Sequence, residues 1–399
     1  MAWLLYWVFF SPRTDPDQVN INGVIVNVGP GGQLPNINGS DQTNTNSANV
    51  NRPPVSYNTN AALPIIDKIA NGGLTLTDSI ADSLSTFTTK SIDGDGLNYY
   101  DREDGKFYRL SPDDMTYFSL SDQKFYSVNN VIWSPTKDKA ILEYPDGSKT
   151  MYDFTNEKQY TLPDEYQDIN FDPSGREISF KFLSPDANYL AIANADGTGM
   201  QPVEDLADVA DNFDANYSPT GQIVGTYTES IAGEAQEVFF IGKYGENFRS
   251  IEIDGKGFES QWSDDGQQLL YSAFNSYNDY NPNLYIVDAS GDNIGDNKID
   301  LGLTTWADKC SFAGSSSVIC AVPVNLERGS GPFPELAASS PDIFYRVDLN
   351  TGIKSQLAIP VNETGGGQFQ AHNIFVDDTG EWMYFTDGFT GQIHKIQLQ

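Results

Sequence analysis

Apolar and polar positions along this chain alternate in short runs that restart after roughly 40 to 60 residues, the spacing of repeated supersecondary units. Each unit opens on an aromatic residue, crosses a turn built from Ser, Asp, Pro or Gly, and continues as an apolar strand. Trp133-Ser134-Pro135 leads into Ala140-Ile141-Leu142, Phe171-Asp172-Pro173-Ser174-Gly175 into Ile178-Ser179-Phe180, and Tyr217-Ser218-Pro219-Thr220-Gly221 into Ile223-Val224. Trp262-Ser263-Asp264-Asp265-Gly266 precedes Leu269-Leu270-Tyr271, Phe312-Ala313-Gly314 precedes Val318-Ile319-Cys320, and Phe375-Val376-Asp377-Asp378-Thr379-Gly380 precedes Trp382-Met383-Tyr384-Phe385. Pro and Gly supply the fixed and the permissive φ of a hairpin turn, Ser and Asp bond its backbone, and aromatic and β-branched residues fill a packed sheet.

A second hairpin follows in nearly every unit, as where Lys149-Thr150-Met151-Tyr152 passes through Thr155-Asn156-Glu157 to Gln159-Tyr160-Thr161-Leu162. Four short strands per unit make the blade of a β-propeller, which protects sheet edges by arranging blades around a channel. The pattern predicts an all-β, seven-bladed propeller of four-stranded antiparallel blades, beginning near Leu97, Val131, Asp168, Phe213, Phe258, Lys309 and His372. The unit from His372 has only three strands, so an upstream strand must complete it. Leu63-Pro64-Ile65-Ile66-Asp67 is the expected closing strand, and Gly73-Leu74-Thr75-Leu76-Thr77 the expected innermost strand of the first blade. An open stack, or a ring of six or eight blades, is the alternative.

These Ser-Pro-Asp-Gly-like turns followed by apolar strands resemble the repeats of TolB-type and tryptophan-aspartate-repeat-like bacterial propellers, from about Leu63 to Gln399. The resemblance implies a partner-binding propeller and leaves the partner open. Thr136-Lys137-Asp138 departs from it by carrying no Gly, and the Phe312 copy has no acidic residue in its turn. No copy has the Gly-His and Trp-Asp pair of eukaryotic tryptophan-aspartate repeats.

The termini and the charge add location. Residues 1–10 contain an unbroken apolar run, Ala2 to Phe10, whose nine residues would rise only about 14 Å as a helix against a bilayer core of about 30 Å. It reads as the remnant of a longer membrane anchor; an interfacial plug, a signal-peptide remnant and a plain hydrophobic terminus are the alternatives. Residues 11–60, rich in Asn, Gly and Pro, read as a flexible linker, with Val24-Ile25-Val26 as a weak strand, and 61–399 as the propeller. With 55 acidic and 23 basic residues the net charge is −32, which repels phosphate backbones and excludes nucleic acid as a partner. A loop from Ala313 to Ser317 would set Cys310 opposite Cys320, predicting a disulfide and an oxidising, extracytoplasmic setting at the periplasm or cell surface. So short a loop confers on the order of 2 to 3 kcal/mol.

Catalytic chemistry is hard to find in the sequence. Only His372 and His394 exist, both in the last unit, and no Gly-x-Ser-x-Gly elbow accompanies them. His394 reads as a structural or rim residue, and the two histidines lack companions at metal-ligand spacing. Asp378, Gly380 and Trp382 loosely resemble the Asp box of sialidases, but the arginines are scattered. No cofactor is expected. Asp93-Gly94-Asp95-Gly96 and Asp288-Ala289-Ser290-Gly291-Asp292 are weak candidate calcium loops without the full spacing of a helix-flanked site.

The sequence therefore points to a non-enzymatic, membrane-tethered, monomeric propeller that recognises a protein, peptide or glycan through loops on one ring face. Tyr277 and Tyr280, in the stretch Asn275 to Pro282, and Arg328 and Phe333, in the insertion Asn325 to Ser340, are the candidate binding residues. A carboxylate-based glycan hydrolase or lyase with its site at the channel mouth, and a structural cell-surface protein, stand as alternatives.

Overall fold

Aromatic and β-branched residues between Gly, Pro and Asp turns leave this chain almost no helical periodicity, and the structure is built from short strands. The computed structural model describes residues 18–21, 24–27 and 65–399, apart from 82–83, 95 and 112–114. Near the N-terminus β1 (Gln18–Ile21) pairs antiparallel with β2 (Val24–Asn27), so the Val24 to Val26 run is a strand. The apolar run Ala2 to Phe10 and the rest of the linker lie outside the described residues. No described helix is long and apolar enough to cross a membrane.

Two short strands, β3 (Leu74–Leu76) and β4 (Asp78–Ala81), precede the ring. Blade one is β5 (Ser85–Lys90), β6 (Leu97–Asp101), β7 (Lys106–Ser111) and β8 (Thr116–Ser119). Blade two is β9 (Asn130–Trp133), β10 (Lys139–Glu143), β11 (Lys149–Asp153) and β12 (Lys158–Leu162); blade three is β13 (Tyr166–Phe171), β14 (Glu177–Leu183), β15 (Asn188–Asn194) and β16 (Gln201–Asp205). Blade four is β17 (Phe213–Ala215), β18 (Ile223–Ser230), β19 (Gln236–Gly242) and β20 (Ile251–Ile253); blade five is β21 (Lys256–Trp262), β22 (Gln268–Phe274), β23 (Asn283–Asp288) and β24 (Ile299–Asp300). Blade six is β25 (Cys310–Phe312), β26 (Ser317–Pro323), β27 (Asp342–Asp348) and β28 (Lys354–Val361), and blade seven contains β29 (Ala371–Val376), β30 (Trp382–Asp387) and β31 (Ile393–Gln397). Each blade is an antiparallel meander, and the contacts between blades that run from β5 to β9, β13 to β17, β25 to β29 and β29 to β5 put the first strands nearest the axis.

The start of the ring differs from the sequence reading. The fourth strand of blade seven is β4, antiparallel to β31, and not the Leu63 to Asp67 run. Asp67 and Ile69 make only isolated parallel bridges, to Thr75 and Gln397, and Leu63 and Pro64 lie outside the described residues. Nor does Gly73 to Thr77 become the innermost strand of blade one. Its core, β3, adds to the outer edge of blade six in parallel with β28, through Ile359–Leu74, Pro360–Thr75 and Val361–Leu76, and β5 takes the inner position. The reason is burial: Ile80 and Ala81 of β4 are buried, whereas Ile65 is 84% exposed.

Seven hydrophobic clusters fill the seven seams between blades. Adjacent residues of one strand serve opposite seams. Ile141 packs toward blade three while Ala140 and Leu142 pack toward blade one, and Ile319 faces blade seven while Val318 and Cys320 face blade five. Burial on both faces is why the second strands read as unbroken apolar runs. The seam between blades seven and one joins Tyr384 and Ile393 to Ile80, Leu97 and Leu110. In blade six Cys310 and Cys320 are paired across the hairpin, Cα atoms 4.0 Å apart, and form a disulfide.

Candidate functional site

Alternating strand directions place the turn after every first strand on one face of the ring, and the connections between second and third strands on the other. Two different mouths result.

On the second face, inner strands that bury one side chain direct the next into the channel. Asp214 lies between buried Phe213 and Ala215, and Glu259 follows buried Phe258. Four inner strands also bulge, where the register slips between Thr86 and Thr89, Gln167 and Asn170, Lys256 and Glu259, and His372 and Phe375. The residues inside these slips, Phe87, Asp168, Gly257 and Asn373, have φ between 49 and 68°. A bulge bends the strand and re-aims its side chains. At Gly257 only glycine fits, because a Cβ would lie 2.1 Å from the Phe274 ring.

A cavity of about 140 Å³ opens on this face, lined among others by Glu259, Trp306, Asp308, Lys309, Gln370 and His372. Pro334 and Ala337 of the Asn325 to Ser340 insertion form part of its wall. Neither Glu259 nor Asp308 has a hydrogen-bond or ion-pair partner among the described residues. Glu259 reaches channel solvent yet is walled in by the ring; desolvation first, then Asp308 and Asp214, push its carboxyl up to about 7. Asp214 is pushed up to about 6 by desolvation and by Asp168, with Lys181 opposing. The positive charge nearby is already committed. Lys309 pairs with Asp342 at 2.8 Å and donates to the Ala371 carbonyl at 3.1 Å, and Lys181 pairs with Asp168 at 3.3 Å. Burial and Lys309 lower the pKa of His372.

The candidate binding residues stand above this mouth. Gly329 and Gly331 donate to the carbonyls of Asp279 and Tyr280, both at 2.8 Å, locking the two loops together. Arg328 sits 5.8 Å above the Tyr280 ring and 3.9 Å from Asp279. Tyr277 is 97% exposed on a turn capped by Asn275, and Phe333 is 56% exposed at the start of the short helix Pro334–Ala337. Glu259, Asp308 and Lys309 were absent from the sequence candidates; an acid at the exposed alternate position of an inner strand is the signal that could have found the first. His394 is buried between Phe369 and Phe385, ring centroids 5.0 and 5.5 Å away, a structural position.

The opposite mouth is made of the repeated turns themselves. Phe171, Tyr217 and Trp262, with Pro135, Pro173 and Pro219, line a cavity of about 390 Å³. A neighbouring cavity of about 360 Å³ is lined by Phe312, Val376 and the Asp377 to Gly380 turn, with Arg346 and Lys90. The repeat therefore does more than build blades. Of the calcium candidates, Asp93 is paired with Arg109 and Asp288 accepts from Asn297 at 2.7 Å. No cluster of three or more metal-ligating side chains occurs among the described residues.

The fold defines a β-propeller, and solved structures agree. The β-propeller domain of Cps50 (Swd1) from Myceliophteria thermophila is similar at a TM-score of 0.53 and 14% identity, over 81% of this chain and 100% of that one. An oligogalacturonate lyase in complex with manganese is similar at 0.54 and 12% identity, over 81% of this chain and 93% of that one. The oligogalacturonate lyase from Vibrio parahaemolyticus follows at 0.52 and 10% identity, over the same 81% and 93%. At such identities the likeness concerns the fold alone. No protein-family model matches the chain, and no curated protein matches it.

Proposed function

We propose that this protein is a non-enzymatic binding propeller that takes a protein or peptide partner on the face carrying Tyr277, Tyr280, Arg328 and Phe333, with one basic side chain of the partner entering the acid-lined mouth. The supporting observation is the cavity of about 140 Å³ in which Glu259 and Asp308 have no partner and Glu259 is pushed up to about 7. A carboxyl that resists ionisation as Glu259 does is short of positive charge, and an ammonium or guanidinium supplies it. The volume suits one side chain; clefts for larger ligands run to about 300–1,000 Å³. The lyases of similar fold are named for an oligogalacturonate, a polyanion, which an acidic mouth repels. The disulfide favours an oxidising compartment, and we place the protein outside the cytoplasm, tethered through residues 1–10.

The test is a display of peptides with a central Lys, Arg, Gln or Leu, measured for affinity at pH 6 and 8. Basic peptides should bind at least about tenfold tighter than neutral ones, more tightly at pH 8, and Glu259→Gln with Asp308→Asn should remove the preference. Equal binding of neutral peptides would sink the proposal. Cleavage of an oligosaccharide that disappears in the same double variant would establish the enzyme reading in its place.

A further inference from the structure

The opposite mouth contains two charged side chains without a partner among the described residues. Arg346, on the third strand of blade six, is half-buried beside the cavity of about 360 Å³. Its Nε is buried without an acceptor, and the Arg346 side chain makes no hydrogen bond or ion pair among the described residues. Burial alone weighs on its charge. In a chain with 55 acidic residues this is no shortage of carboxylates. Lys90, on the same cavity, shows the usual solution, an ion pair with Asp378 at 2.5 Å. Asp264 lines the cavity too, from the first turn of blade five, and has no partner either.

Opposite charges on one cavity that do not meet each other define a dipolar site. With Nε buried, the two Nη atoms are those a ligand in the cavity can meet, and a planar carboxylate accepts two parallel hydrogen bonds from them. The cavity volume lies within the range of small-molecule sites. Phe312 and Val376 offer apolar surface between the charges. A doubly charged phosphate is disfavoured, since Asp264, Asp377 and Asp378 stand around the same space.

We propose that this cavity binds a free α-amino acid, its carboxylate on Arg346 and its ammonium on Asp264. The site lies on the other face from the peptide mouth and is independent of it. The full chain is titrated with the common free α-amino acids one at a time, and with acetate, methylammonium and inorganic phosphate, each at matched ionic strength, following thermal unfolding and binding heat. At least one amino acid should raise Tm saturably, with acetate and methylammonium at least about tenfold weaker because each meets only one of the charges. Arg346→Gln and Asp264→Asn should each weaken binding by about tenfold or more, and Arg346→Lys should lose most of the affinity, because an ammonium cannot form the fork. Should Arg346→Gln lose its native circular dichroism, the exposed Asp264→Asn decides alone. No saturable binder, unchanged binding in Asp264→Asn, or phosphate binding as tightly as the best amino acid overturns the proposal.

Discussion

Lys309 carries its charge into the seam between blades six and seven, where its side chain is 7% exposed and that of Asp342 1%. Asp342 also accepts from the Ala371 amide at 2.7 Å, so one carboxylate joins both blades. Removing one partner of such a pair leaves a buried charge unanswered, and Lys309→Met should cost about 3–5 kcal/mol in urea denaturation. Replacing both residues with apolar ones should cost less; an equal or larger loss in the double variant would show that packing, and not charge, dominates. Glu259 gives the pH counterpart. Its folded value of about 7 lies above the ordinary 4.5, so the folded state holds a proton that the unfolded chain has released. Its stabilising share is complete below about 4.5 and is lost as pH rises through about 7. Glu259→Gln should therefore flatten the fall of Tm over that window, and an unchanged slope in the variant would remove Glu259 as its source.

At the scale of elements, the sequence displayed the hairpins because each turn is local: Gly, Pro and Asp fix it within a few residues. The disulfide was legible for the same reason, since the Ala313 to Ser317 loop sets the Cys310–Cys320 register. The identity of the strand completing blade seven was not. Leu63 to Asp67 is the more apolar of the two short stretches upstream of the ring, yet Asp78 to Ala81 completes the blade, because the choice rests on pairing with β31, far along the chain, and on packing against Leu97 and Leu110. A chain starting at residue 63 should melt with the full-length protein. One starting at residue 83 should melt at least about 5 °C lower, with Ile393 to Lys395 left as an open edge. Equal melting of the two would mean that β4 adds nothing to the ring. The bulges at Asp168, Gly257 and Asn373 were equally silent, because a bulge depends on what the neighbouring strand allows.

For the whole molecule, residue order determined the repeat, the blade count, the acidity and the two-faced burial of the second strands. Those are properties of spacing and composition, which a linear chain displays. Tertiary structure alone decided which acids share a space. Asp214, Glu259 and Asp308 come from three blades, and Arg346 and Asp264 from two. No local pattern links them, since each sits in an ordinary strand or turn and acquires its meaning only when the ring closes. Closure also gives the repeated phrase a second role: Phe171, Tyr217, Trp262 and Phe312 fill the seams between blades and wall the cavities of one mouth. A residue's neighbours within its own unit are fixed by covalent distance, whereas those it meets across the axis are fixed by the radius and stagger of the ring.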